Sequence, residues 1–452
     1  TRGIDIGASD FIRRRLVDLR TAGAGVLLIS ADLNEVLEVS DSLIVMHNGR
    51  IAAYFPDASK VTEEELGEYM LGVKSRRWRT VSKNPKIRTA KEIEQIFNVL
   101  RVVMAIIIAL LFAFLVILLV SDDPMGSISS FIVGPLTTFR RFGEVVSKVV
   151  PLLFTGAAVC FIFSANQTNM AVEGGFTVGA LGATIIAVYV HPGNSILHIA
   201  LCCIAGGVFG LIAAAIPAIM YVKFNAKPVV SSLMMNYVCM YIALGLINHP
   251  MRDNNAGFNA SATFDATAQI PKLIARTDIH AGLIIGLVVI VFSYIYLYRS
   301  QNGYEIRVVG KNTDFATYCG MPVKKVLMKS QLIGGFLAGL GGAVEVLSMY
   351  TRFQYSGNTG LGFDGIMVGI MAGYNPKLVP LAAFFYAYVK EGAAILARAT
   401  DIPVELVSII QAIIIMLVVA ERFLYKQKHR MMVKAAEKEL EFRNQQAAKE
   451  AE

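Results

Sequence analysis

Charged residues are scarce in this sequence: they make up 17% of its 452 residues, against about 25% in typical soluble domains. Hydrophobic residues make up 55% and the mean hydropathy is +0.55, which argues against a wholly soluble protein. The five cysteines show no C-x-x-C spacing, so neither a disulfide framework nor a zinc site is encoded. The chain also lacks a G-x-x-x-x-G-K-[S/T] phosphate loop, so we do not expect it to hydrolyse ATP alone.

Long apolar segments fill the chain from about residue 98 to 425. Each has roughly 20 residues, enough to cross ~30 Å of hydrocarbon. The pattern predicts an all-α polytopic membrane domain with about ten transmembrane helices. The predicted spans are residues 98–120, 146–166, 172–190, 196–221, 229–248, 280–298, 326–348, 362–375, 378–398 and 403–424.

Positive charge clusters beside these segments. Residues 74–91 contain eight Lys or Arg and no acid, and the predicted linker 78–97 lies mostly within this stretch. Such a stretch can bind nucleic acid, but next to a membrane span it is more typical of the cytoplasmic flank. Basic residues in the loops 223–227 and 299–329 and in the charged tail 426–452 predict the cytoplasmic side as well, so both termini are expected inside the cell.

The first 77 residues have a different character and predict a small α/β unit. Thr62 and Glu65 are spaced as a capping box before an acidic helix, and Asn48-Gly49 is a strong hairpin turn. The expected elements are a helix at 8–22, a strand at 25–30, a short amphipathic stretch at 32–39 and a hairpin of 43–46 with 50–55.

The stretches TRGID and ISADLNEVLEVSD make residues 1–77 resemble the C-terminal part of an ABC-transporter ATPase domain. The resemblance implies that Asp5 is the aspartate of the D-loop and that Ala31 stands at the switch position, where the family has histidine. A methyl group cannot orient an attacking water as imidazole can. The LSGG-type signature is also missing, so the fragment is expected to lack ATPase activity.

Four stretches make residues 98–425 resemble a permease of the ABC importers for branched-chain amino acids, simple sugars and nucleosides. They are NMAVEGGFTVGA (169–180), KPVVSSLMMNY (227–237), VGKNTDFATYCGMPVKKVL (309–327) and GLGFDGIMVGIMAG (360–373). The last two most resemble the nucleoside subgroup. Residue 171 departs from the family pattern with alanine in place of glycine, and residue 175 with glycine in place of glutamine.

The resemblance implies a subunit of the bacterial cell membrane that moves a nucleoside inward, with no cofactor bound by this chain. Its implied partners are an ABC ATPase that uses ATP and Mg, a second permease subunit, an extracytoplasmic substrate-binding lipoprotein and membrane lipid, with no nucleic acid. A ribose-like sugar is the rival substrate. The alternative of a different class is an ATP-independent channel or scaffold.

Glu173 lies in a glycine-interrupted apolar stretch close to Asn169. A charged side chain at mid-bilayer costs ~2.5–3.5 kcal/mol on insertion scales, so it needs a role. It could line a polar route at a discontinuous helix. It could equally cap the N-terminus of the helix that runs through Phe176 to Val190, where the helix dipole favours an acid.

Ser232 and Asn236 share one face of a helix, with Ser231 adjacent. This face could bind a ribose or a base, or it could hold neighbouring helices together. Asp364 precedes Gly365, Gly369 and Gly373, a small-residue ridge that favours helix packing, and the acid itself is a candidate for the solute route or for capping.

The candidate coupling loop connects two predicted spans and carries a short predicted helix. The resemblance implies that it transmits ATP-driven closure to the membrane helices. The alternative is an ordinary solvated loop. Its residues are Thr313, Asp314, Phe315, Ala316, Thr317, Tyr318 and Gly320.

Overall fold

The computed structural model describes residues 6–30, 33–47, 50–70 and 123–400, with a few single positions in 111–118 and 409–416. These residues belong to two compact units, one within residues 1–90 and one within residues 91–433. Several predictions lie outside the described residues: Asp5, Ala31, the turn 48–49, the linker 78–97, nearly all of the spans 98–120 and 403–424, and the tail 426–452.

The described part of the first unit contains three α-helices and one hairpin. They are α1 (Ile6–Thr21), α2 (Leu33–Val39), β1 (Leu43–His47), β2 (Arg50–Phe55) and α3 (Glu63–Met70). The two strands are antiparallel, as predicted, and their alternating pattern buries Leu43 and Val45 against α3 while Ile44 and Met46 stay exposed. The hydroxyl of Thr62 accepts a hydrogen bond from the Glu65 amide at 3.3 Å, which caps α3 as expected.

The predicted strand at residues 25–30 is wrong. This stretch has no regular secondary structure, and the side chains of Leu27 and Ile29 are 85% and 88% exposed. A strand needs a neighbour to accept its backbone hydrogen bonds. Within the described part of this unit, the hairpin is the only sheet, and β1 and β2 pair with each other.

The second unit is built of helices. They are α4 (Pro124–Ile132), α5 (Phe139–Ser164), α6 (Val172–Tyr189), α7 (Ser195–Phe224), α8 (Pro228–Asn248), α9 (Gly282–Arg299), α10 (Gln301–Lys311), α11 (Thr313–Tyr318), α12 (Val323–Met349), α13 (Leu361–Met371) and α14 (Val379–Ala399). Among the described residues, α5, α6, α7, α8, α9, α12 and α14 with its preceding turn are long and apolar enough to cross a membrane. The multi-pass helical architecture is therefore confirmed.

The predicted span at residues 362–375 needs correction. Its helix, α13, has 11 residues and is about 16 Å long at 1.5 Å per residue, roughly half of the ~30 Å hydrocarbon thickness. Gly360 before it has φ +75° and Gly373 after it has φ +58°, conformations that end a helix and that glycine adopts at little cost. An apolar run of this length therefore holds a half-length helix and a turn.

Glycines bring α6, α7 and α12 into backbone contact. A Cβ atom on Gly339 of α12 would lie 2.2 Å from the carbonyl oxygen of Gly206, and one on Gly210 would lie 2.4 Å from that of Gly335. Both distances are impossible for real atoms. The packing interpretation of these glycine ridges is therefore confirmed. Gly365 and Gly369 likewise pack on α5, while Gly373 forms the turn.

The segment between α8 and α9 holds an unusual histidine. His280 is 1% exposed, and both of its ring nitrogens lack a hydrogen-bond partner among the described residues. Burial lowers its pKa from 6.5 to about 4, which outweighs the opposing effect of Asp278, while Lys272 lowers it further. Above about pH 4 the folded protein therefore holds this ring neutral.

We expect the free energy of unfolding to fall as the pH drops from 6.5 to about 4, because the unfolded chain binds a proton that folded His280 excludes. Above pH 6.5 the ring is neutral in both states and contributes nothing to this dependence. His280→Phe should remove this part of the pH dependence, whereas His249→Phe, at an exposed position, should leave it unchanged. Thermal denaturation of detergent-solubilised protein between pH 4 and 7.5 measures the effect; equal pH dependence for His280→Phe and the parent would contradict it.

Candidate functional site

Glu173 is fully buried in the first turn of α6 and caps a different helix. Its Oε1 accepts hydrogen bonds from the Gly360 amide at 2.8 Å and the Thr359 hydroxyl at 3.1 Å, and its Oε2 accepts one from the Gly362 amide at 2.7 Å. These amides have no acceptor within α13, because they lie at the start of the helix. The capping prediction therefore named the wrong helix: the carboxylate stabilises α13, which is distant in sequence.

Close backbone approach makes this arrangement possible. A Cβ on Gly362 would lie 2.4 Å from the Cα of Glu173, so these two backbone segments can meet here only because residue 362 is glycine. The helix α6 begins at Val172, as the predicted span 172–190 has it. Sequence spacing within 169–180 carries no information on a partner that lies in 359–362.

Asn169, Ser232 and Asn236 hold the turn that leads into α6. Asn169 donates to the side-chain oxygen of Gln331 at 2.6 Å and accepts from the Ala171 amide at 2.8 Å. All three side chains are buried.

The polar face of α8 therefore clamps the backbone of residues 170–174. The Ser232 hydroxyl accepts from the Met170 amide at 2.9 Å. Asn236 accepts from the Gly174 amide at 2.9 Å and donates to the Met170 carbonyl at 3.0 Å. Ser231 is half-buried and donates to the carbonyl of Pro228 at 3.2 Å. These contacts hold neighbouring helices together, which is one of the two roles that the sequence left open for this face. The other role is binding of the solute.

Asp364 faces a cavity. The carboxylate accepts hydrogen bonds from the Tyr386 hydroxyl and from the Lys390 ammonium group of α14. The cavity has a volume of about 510 Å³, within the range of about 300–1,000 Å³ that small-molecule sites occupy.

Four helices and one irregular segment surround this polar cavity. The segment 350–360 has no helix or strand and connects α12 to α13. Irregular backbone among membrane helices is tolerated where it lines a cavity or is buried in protein. The polar lining residues are Ser147 and Lys148 of α5, Glu345 of α12, Tyr350, Gln354, Tyr355, Ser356, Asn358 and Thr359 of the segment, Asp364 of α13 and Lys390 of α14.

Contacts to the loop between α8 and α9 position the irregular segment. The carbonyl groups of Thr351 and Phe353 accept backbone hydrogen bonds from Phe264 and Ser261 at 2.9 and 3.0 Å. Arg352 forms an ion pair with Asp253 at 2.9 Å. The cavity wall is therefore fixed from both sides, by this loop at one end and by Glu173 at Thr359 and Gly360 at the other.

Ion pairs neutralise most of the charge at the cavity. Lys148 pairs with Glu391, which is 1% exposed and also accepts a hydrogen bond from Arg398 at 2.9 Å. Lys390 pairs with Asp364. A buried charge is tolerated when such a partner is in place.

Two polar groups of the cavity remain without a partner in the described part of the chain. They are the buried Oε2 of Glu345 and the buried hydroxyl of Tyr355. Sequence reasoning missed Lys148, Glu345, Lys390 and Tyr355. The first three were detectable, because each is a charged residue within a predicted apolar span, the same signal that drew attention to Glu173.

The candidate coupling loop contains the predicted helix. It is α11, and the Asn312 side chain caps it by accepting from the Phe315 amide at 2.9 Å. Ala316 is buried, whereas Phe315 and Tyr318 are 53% and 91% exposed. Gly320, at φ +76°, ends the segment before α12. The chain thus displays two large aromatic side chains on a short, capped helix.

Among the described residues, no group of three or more His, Cys, Asp or Glu is placed to hold a metal ion. Cys160, Cys202 and Cys239 are buried free thiols and pack as small core residues, whereas Cys319 is exposed.

Comparison with known proteins decides the family. The model of the family described as branched-chain amino acid transport system / permease component matches residues 142–419. The chain belongs to this family. The match includes the cavity, the Glu173 cap and the α11 loop, and it confirms the resemblance read from the sequence. This permease is thus a multi-pass membrane transport subunit.

Individual relatives cover most of the permease. It is 31% identical to the guanosine ABC transporter permease protein NupP of Bacillus subtilis, over 72% of this chain and 94% of the relative. It is 29% identical to the glucose ABC transporter permease protein TsgB13 of Haloferax volcanii, over 71% and 87%. A separate match of 72 residues, 16% of this chain, is 43% identical to the guanosine import ATP-binding protein NupO of B. subtilis and covers 14% of that protein.

Proposed function

We propose that this permease is the membrane subunit of an ABC importer that carries a nucleoside into the cell. The polar cavity beside the half-length helix α13 is the observation that carries the proposal. Its size fits a small hydrophilic solute, and discontinuous helices are a recurrent feature of transporter binding sites. The guanosine specificity in the name of NupP supports a nucleoside, and the glucose specificity in the name of TsgB13 keeps a simple sugar as the second candidate.

The cavity is the proposed solute route, and Asp364 lines it directly. Four further side chains support this route without lining it. They fix the turn before α6 and the start of α13, and they are Asn169, Glu173, Ser232 and Asn236. Ser231 extends the same polar face of α8.

The energy for transport comes from ATP hydrolysis on a partner ATPase, which uses ATP and Mg. We assign residues 1–77 to the C-terminal part of such an ATPase, supported by the 72-residue match to NupO, with residues 78–97 as linker, 98–425 as the permease domain and 426–452 as a cytoplasmic tail. A second permease subunit and a substrate-binding lipoprotein complete the assembly. The proposed location is the bacterial cell membrane, with about ten spans and both termini in the cytoplasm.

Competition for uptake tests the substrate class. Cells that carry the complete set of partner subunits take up radiolabelled guanosine, with excess unlabelled nucleosides or excess ribose and glucose as competitors. We expect nucleosides to suppress uptake and sugars to leave it unchanged. Suppression by sugars alone would overturn the nucleoside assignment and favour the second candidate.

The α11 loop is the proposed contact with the ATPase. Phe315→Ala combined with Tyr318→Ala should lower the solute moved per ATP about tenfold, because exposed aromatic anchors carry a large share of binding energy at interfaces. Protein stability should change little, since neither side chain is buried. Transport and phosphate release measured together in proteoliposomes give the ratio.

Tyr189→Ala is the matched control, since Tyr189 is 58% exposed at the end of α6. It should leave the ratio unchanged. A double variant at Phe315 and Tyr318 that couples as well as the parent would remove α11 from the interface.

A further inference from the structure

The charges around the cavity divide into two groups. Lys148 and Lys390 are each paired with a carboxylate, so their charges are neutralised within the protein. Glu345 has no ion-pair partner among the described residues, and its buried Oε2 has no hydrogen bond. The Tyr355 hydroxyl, on the same cavity wall, is also unsatisfied.

Leaving such groups unsatisfied is costly. A buried polar atom without a hydrogen bond lowers the free energy of unfolding by about 1–3 kcal/mol, and a charged one lowers it more. Unsatisfied groups that line a cavity are available to a ligand that enters it. The pair is therefore the part of the wall best suited to direct recognition.

The chemistry of the two groups limits the ligand. A carboxyl group accepts hydrogen bonds, and a phenol both donates and accepts them. A solute that carries hydroxyl groups satisfies both, since a hydroxyl can donate and accept. A solute carboxylate would find no unpaired cation among the described lining residues, because the two lysines that could attract it are already paired.

The ring of Tyr355 is held in place before any ligand arrives. It contacts Phe353 at a ring-centroid distance of 4.9 Å and Tyr350 at 5.5 Å, both edge to face. Phe353 itself is fully buried. A fixed ring loses little conformational freedom when its hydroxyl binds a solute.

We propose that Glu345 and Tyr355 are the specificity-determining pair of this cavity and bind hydroxyl groups of an uncharged solute, such as those of the ribose of a nucleoside. This rests on the proposed function in one respect, that the solute passes through the cavity. The pair discriminates against solutes that lack the hydroxyls and against those that carry a carboxylate.

The test compares guanosine with 2′,3′-dideoxyguanosine in proteoliposomes that contain the complete transporter and one binding protein. The ratio of the two uptake rates is measured for the parent, Glu345→Gln and Tyr355→Phe. Because the same binding protein serves every variant, its own preference cancels in the comparison. We expect each variant to lower the ratio about tenfold, mainly through slower guanosine uptake, as for sites that lose a hydrogen bond to a substrate hydroxyl.

Tyr189→Phe is the matched control, because Tyr189 is an exposed tyrosine at the end of α6 that does not line the cavity, and it should keep the parental ratio. Parental ratios in both Glu345→Gln and Tyr355→Phe, with guanosine still transported, would overturn the inference and leave the proposed function intact. Failure of the parent to transport guanosine would instead overturn the proposed function. Should Glu345→Gln fail to fold, Tyr355→Phe decides the matter alone, since it removes one oxygen from a ring that keeps its packing.

Discussion

Gly339→Leu is expected to abolish the folded permease. The first side-chain atom would lie 2.2 Å from the carbonyl oxygen of Gly206 and 2.8 Å from the Cα of Gly210. Both are backbone atoms of α7, so no side chain can rotate away and the helices must separate. Overpacking of a tight core costs about 1–3 kcal/mol and occasionally more, and here we expect about 3 kcal/mol or more.

The chain provides a matched control in Gly245 of α8. A Cβ at this position has no neighbour within 4 Å, so Gly245→Leu should fold normally. The amount of monodisperse protein after detergent extraction and size-exclusion chromatography measures the difference. Equal yields for Gly339→Leu and Gly245→Leu would show that α7 and α12 do not pack as described.

Glu173→Ala is expected to reduce uptake more than tenfold. The substitution leaves the amides of Gly360 and Gly362 and the hydroxyl of Thr359 without their acceptor. Each unsatisfied buried group costs about 1–3 kcal/mol, so the start of α13 and the cavity wall beside it should lose their fixed position. Uptake of labelled nucleoside, together with the thermal midpoint of the purified protein, measures both consequences.

Glu144→Ala controls for the loss of a carboxylate in the same unit. Glu144 is partly exposed on α5 and forms a loose pair with Arg140 at 3.6 Å, an interaction worth little. It should retain uptake and stability. Uptake at the parental level in Glu173→Ala would mean that the cap does not support the route.

The positions of most helices were predictable because apolar runs of about 20 residues encode them locally. The hairpin of β1 and β2 and the helix α11 were predictable for a similar reason, since turn and capping residues mark their ends. The half-length of α13 was not predicted, although Gly360 and Gly373 stand at its two ends. An apolar run alone does not show where a helix stops inside the membrane.

The candidate site was predictable only in part. Charge within an apolar span singles out Glu173 and Asp364 and, applied consistently, also Lys148, Glu345 and Lys390. It does not reveal that Glu173 binds the start of α13 or that Lys390 binds Asp364, because partners distant in the sequence leave no periodic signal. Tyr355 carries no charge and lies in an irregular segment, so its role follows from the cavity alone.

Nucleoside flux into reconstituted vesicles tests the central claim most directly. Proteoliposomes contain either this chain alone or this chain with the ATPase, the second permease subunit and the binding protein, and ATP is supplied on the side of the ATPase. The expected result is concentrative, ATP-dependent nucleoside uptake in the complete assembly and neither ATP hydrolysis nor nucleoside flux with this chain alone. Nucleoside equilibration through this chain alone, without ATP or partners, would contradict it and identify a passive channel.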